Sequence, residues 1–149
     1  MSSMPAVHLD ADDVSYEEAR PGALLTLTGV AVGAAGMCTA AIGGQFLFII
    51  PVYGWIAPLP YLFVVAGVVS MILGGLLTQG RAAAAWLTIP TLLGTSVLTL
   101  GWLIYTTMSG LFSLMVVFGM LALAPAALLA PFAVPAAMRV TRARKQLYA

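Results

Sequence analysis

The sequence predicts an all-α membrane protein, four transmembrane helices in an up-down-up-down antiparallel bundle with short loops. Three observations lead there. From Pro21 to Met138 the only formally charged residue is Arg81, whereas a water-facing surface needs charge near the soluble average of about 25%. The chain as a whole is 7% charged and 62% hydrophobic, with a mean hydropathy of +1.05, a composition of the membrane class. Three turn-forming stretches then cut the apolar tract into pieces near the roughly 20 residues that cross a bilayer.

Residues 1–21 form an acidic N-terminal tail that holds all five acids, Asp10, Asp12, Asp13, Glu17 and Glu18. Ser15-Tyr-Glu-Glu18 fits a helix-capping box, so a short helical turn is expected before Pro21. The run Asp10-Ala-Asp12-Asp13-Val14-Ser15 resembles the start of a calcium loop. It departs where specificity lies: Ser15 stands at the glycine position and Pro21 at the closing glutamate. His8 shares this tail and is read as a bystander.

The first span is expected over about 22–50. It follows an acidic segment and is longer than the roughly 7–15 apolar residues of a signal peptide, so it is read as a retained helix. Cys38 is the single cysteine, which leaves no internal disulfide. Met37 before it takes the place of the small residue a lipoprotein cleavage pattern requires. Pro51 to Pro60 holds three prolines and a glycine and interrupts the pattern, with Tyr53 and Trp55 suited to a water interface. A second span follows over 61–78, and Gln79-Gly80-Arg81 turns the chain. The third span is expected over 82–105, Thr106 to Gly110 turns again, and the fourth runs over 111–134. Pro125, Pro131 and Pro135 should bend it by freeing the carbonyls of Leu121, Ala127 and Pro131. Residues 22–138 thus make the four-span unit and 139–149 a basic C-terminal tail.

Four spans place the N-tail, the Arg81 turn and the C-tail on one side, and those places hold all six Lys and Arg residues. The positive-inside rule makes both termini cytoplasmic, as in a bacterial inner membrane. Arg139, Arg142, Arg144 and Lys145 are read as contacts to anionic lipid headgroups, each worth about 1 kcal/mol near such a surface; the alternative is docking on an acidic partner, the chain's own N-tail or a neighbour's. Four cations are too few for a nucleic-acid surface, and no such partner is expected.

Within the spans the chemistry is spare. Gly29, Gly33, Gly36, Ala40, Gly43 and Gly44 recur at spacings of three and four, giving span one a smooth surface for close helix approach. This surface is wider than one stripe, which suits packing inside the bundle and against a second subunit. Ala66, Ser70 and Gly74 repeat the device in span two. Span three carries a hydroxyl stripe, Thr88, Thr91, Thr95, Thr99 and Thr106, with Trp102 in its gap. Such hydroxyls bond their own helix carbonyls; alternatively the stripe lines a polar crevice. Gln45, carrying two donors and an acceptor, is expected to cross-link helices or hold a ligand.

The spans contain no Asp, Glu, His or Lys. Ion-coupled transport, haem ligation and intramembrane proteolysis all draw on such residues, and no phosphate loop, dinucleotide fingerprint or zinc cluster is present. The expectation is a protein without catalytic residues, cofactor or metal. It is either a structural or accessory subunit packing on other membrane subunits or on itself, or an oligomeric channel or carrier for an uncharged or weakly polar solute.

Overall fold

The computed structural model describes residues 16–48, 54–110 and 114–148. The Ser15 cap, the Asp10–Ser15 run, His8 and Tyr53 lie outside these residues, as does the side chain of Trp55. A helical turn at 16–18 precedes Pro21. Four long apolar helices follow: α1 Ala23–Phe48, α2 Leu59–Thr78, α3 Ala82–Met108 and α4 Leu114–Leu147. All four are long and apolar enough to span a bilayer. Consecutive helices pack antiparallel through short loops, and α4 returns to α1 to close the bundle. The all-α antiparallel four-span expectation is therefore met.

The helix ends follow from local chemistry. A single 3₁₀ turn, Gly54–Ile56, sits before α2, and Gly54 takes a positive φ of 81° that side-chain-bearing residues rarely adopt. Proline in the first turn of α2 costs no helical hydrogen bond, so α2 begins at Leu59 and takes in Pro60. The α2–α3 turn is a Schellman closure: Gly80 at φ 75° donates to Leu77, and Arg81 donates to the Leu76 carbonyl. Gly110, at φ 72°, closes α3 in the same hand. Arg81 then caps the start of α3 in extended conformation.

The largest departure from the expected boundaries is at the C-terminus. α4 continues past 134 to Leu147, 34 residues in one helix, or about 51 Å at 1.5 Å per residue, against a hydrocarbon core of about 30 Å. Its three prolines stay inside the helix, as does Pro90 inside α3. The basic residues from Arg139 onward are thus carried on a helix continuous with the span. Ala137, Val140 and Ala143 are buried along it, so the extension has an apolar face to pack, which explains why it does not stop at the membrane boundary.

The core has two centres. Near the Arg81 end, Leu25, Val32, Leu77, Ala85, Ala133 and Ala137 belong to one cluster; toward the opposite end Ile42, Phe46, Phe63, Trp102 and Val116 form another. Elsewhere large side chains face outward, among them Leu27, Val65, Trp86, Leu93 and Phe132. In lipid that is the expected arrangement, because the solvent is as apolar as the side chains.

Candidate functional site

The glycine surface of α1 divides into two. Gly29, Gly36 and Gly43, seven residues apart, are buried against α2. A methyl group placed on Gly29 would lie 2.6 Å from the Gly74 carbonyl, one on Gly36 at 2.6 Å from that of Gly67, and one on Gly43 at 2.6 Å from that of Pro60. The relation is reciprocal, since methyls on Gly67 and Gly74 would lie 2.6 Å from the carbonyls of Gly36 and Gly29. Each glycine hydrogen thus points at a carbonyl across the interface, the geometry of Cα–H···O contacts. Ala40 belongs to the same seam, facing Gly67.

Gly33 and Gly44 behave differently. A side-chain carbon on either meets nothing within 4 Å, and beside them Ala34 and Ala41 are exposed. Gly33 still borders the α2 seam, since a methyl group on Gly74 would lie 2.7 Å from its nitrogen, but the side-chain positions of Gly33 and Gly44 face outward from it. In α2 the contact runs through Gly67 as well as Ser70 and Gly74. Gly67 was not singled out from the sequence, although its spacing of seven from Gly74 is the matching signal.

The threonine stripe lies inside the bundle. Thr88, Thr95, Thr99 and Thr106 are buried, and Thr91 is half-buried. Each donates to the carbonyl four residues before it: Thr88 to Ala84, Thr91 to Leu87, Thr95 to Thr91, Thr99 to Thr95 and Thr106 to Trp102, at 2.7–3.0 Å. Their polarity is thus spent on α3 itself. Two apolar clefts open to the outside do lie along α3 and α4, of about 140 and 150 Å³, and both touch Ser96 and the exposed Ala127. Neither is lined by a threonine of the stripe. Ala127 is also the residue whose carbonyl Pro131 frees.

Trp102 fills the far core. Its ring stands edge-on to Phe46 at 4.8 Å and to Phe63 at 5.8 Å, with Tyr105 tilted beside it at 5.5 Å. Its indole nitrogen is buried without a hydrogen-bond partner among the described residues. Gln45 is half-buried and has a partner of its own. No group of three or more metal-ligating side chains occurs among the described residues.

Among the described residues the charged end is the most polar part. The helical turn at 16–18, the α2–α3 turn and the last turns of α4 meet there: a methyl group on Gly80 would contact Val140, Arg144 and Pro21. Arg144 is half-buried, and its Nε donates to the carbonyl of Ala19 at 3.0 Å, tying the C-terminal helix to the N-terminal segment. Arg139, Arg142 and Lys145 are exposed. Between the two segments runs an open groove of about 580 Å³, bordered by Glu17, Glu18, Arg20, Arg139, Arg142 and Gln146 and floored by Leu24, Leu25, Ala136 and Val140. Arg20 also borders a second crevice of about 290 Å³ beside Arg144 and Tyr148.

No family model matches the chain, and neither a curated protein nor a solved structure similar to it is found.

Proposed function

We propose that this four-span protein is a structural or accessory integral-membrane subunit that packs laterally on a larger membrane complex or on copies of itself. The observation that supports it is the second small-residue surface of α1, where Gly33 and Gly44 leave open space beside exposed Ala34 and Ala41. In lipid, small residues promote helix association because they let backbones approach, as Gly29, Gly36 and Gly43 do inside the bundle. A stripe of the same kind left facing lipid suits a second helix from outside. The partners on this reading are the bilayer, anionic headgroups at the basic end, and neighbouring membrane subunits. Both termini lie in the cytoplasm by the positive-inside rule. No catalysis and no cofactor are assigned to it.

Conduction of an uncharged solute along α3 draws less support, because the threonine hydroxyls are bonded to their own helix and the nearby clefts are lined by other residues.

The test is a mass measurement after purification in mild detergent, with Gly33→Leu and Gly44→Leu beside the unaltered chain. The expected result is an assembly or co-purifying partner that both substitutions release while the helical spectrum stays unchanged. A monomer without partners in the unaltered chain, or an assembly indifferent to both substitutions, overturns the proposal. Cysteines placed from Thr88 to Thr106 should resist a water-soluble thiol reagent; labelling in a helical ladder would favour conduction.

A further inference from the structure

The groove at the charged end has a chemistry of its own. It lies where the apolar helices stop: Leu24 and Leu25 open α1, and Ala136 precedes the first arginine of α4. Three guanidinium groups, Arg20, Arg139 and Arg142, and two carboxylates, Glu17 and Glu18, border it. Arg139 and Arg142 stand one helical turn apart on one exposed face of α4. Arg20 comes from the opposite wall, where its backbone N–H donates to the Glu17 carbonyl and folds the segment into a turn. Among the described residues none of the five charges closes an ion pair. The lining therefore carries three positive and two negative charges, leaving an excess of one positive charge.

We propose that this groove holds one anionic glycerophospholipid with a hydroxylated headgroup, of the phosphatidylglycerol type. The phosphodiester lies between Arg20, Arg139 and Arg142, whose planar donor forks match phosphate oxygens. Its single negative charge balances the excess of the lining. The headgroup hydroxyls donate to Glu17 and Glu18, acceptors that a bare anion would avoid. The first acyl carbons run over Leu24, Leu25 and Val140 into the hydrocarbon layer. The groove volume is within the roughly 300–1,000 Å³ of small-molecule sites. Arg144 is held by Ala19 and serves the site by fixing one wall to the other.

Native mass spectrometry of the full chain in detergent tests this, with phosphatidylglycerol, phosphatidic acid, phosphatidylethanolamine and phosphatidylcholine of matched acyl chains. The expected result is one phosphatidylglycerol retained about tenfold better than phosphatidylcholine, a gap of about 1.4 kcal/mol. Arg139→Gln with Arg142→Gln should abolish that preference while thermal unfolding stays unchanged. Glu17→Gln with Glu18→Gln separates a built site from general attraction. Plain electrostatics predicts that losing two negative charges strengthens every anionic lipid, whereas a hydroxyl-reading site loses phosphatidylglycerol relative to phosphatidic acid. Free glycerol 3-phosphate, which has no chains for the apolar floor, should fail to displace the lipid. The proposal is overturned by equal retention of all four lipids, by stronger phosphatidylglycerol binding in the glutamine pair, or by displacement with glycerol 3-phosphate.

Discussion

The α1–α2 hairpin and the α3–α4 hairpin have opposite packing economies. In the first, glycines bring the two backbones together so that hydrogens on one face carbonyls on the other, and a single added carbon would sit 2.6 Å from an oxygen. In the second, Pro90 and three prolines of α4 interrupt the helices' own hydrogen bonding, and open clefts near Ser96 and Ala127 run along them. Water cannot drive either contact in lipid. What remains is fit: the first hairpin has no room to vary, while the second has room for side chains to be added.

Substitutions on the two sides should therefore differ in size. Gly36→Leu is expected to have the largest effect, at or above the roughly 3 kcal/mol upper end of overpacking, because the obstacle is backbone and cannot rotate away. Loss of the cooperative unfolding transition in detergent would record it, and a change below about 1 kcal/mol would break the contrast between the hairpins. Arg144→Gln comes next, at about 1–2 kcal/mol, through the lost charge-assisted bond to Ala19. Protease cleavage near Arg20 should quicken, since the N-terminal segment loses that tether. Thr99→Val should cost about 1 kcal/mol or less, because its hydroxyl serves only the Thr95 carbonyl. Ala127→Leu, at an exposed position bordering the open α3–α4 clefts, should be the mildest, close to neutral in the same melt. A cost for Ala127→Leu equal to that of Gly36→Leu would mean that both hairpins are packed alike.

The number, order and alternation of the helices were legible because charge and turn residues are so sharply confined. Arg81 with Gly80 can only be a turn if the flanking tracts are in lipid, and the Schellman closure there has the glycine it requires. The C-terminal end was less legible. Charge at Arg139 reads as the end of a span, but the buried face Ala137, Val140 and Ala143 continues the helical period through the basic residues. Composition and periodicity disagree at that point, and periodicity follows the packing.

The sites divide along the same line. The glycine content of α1 was visible, yet two stripes on one helix cannot be told apart without the partner's spacing. The period of seven in Gly29, Gly36 and Gly43 selects the inner stripe only when set beside Gly67 and Gly74 of α2. The threonine hydroxyls could be assigned to their own helix in advance, since that partner is always within reach. The groove at the charged end was not legible, because Arg20 and Arg139 are brought together by the return of α4 onto α1 and by no local pattern.

The matched sevens also act as a ruler. If α1 and α2 slide past each other by one helical turn, glycines leave the carbonyls they face and bulkier residues arrive. Only a slip of seven residues, about 10 Å along the axis, brings Gly36 opposite a glycine again. Piston motion between these two helices is therefore blocked in small steps, and movement that reaches this hairpin from outside must carry it as one rigid rod.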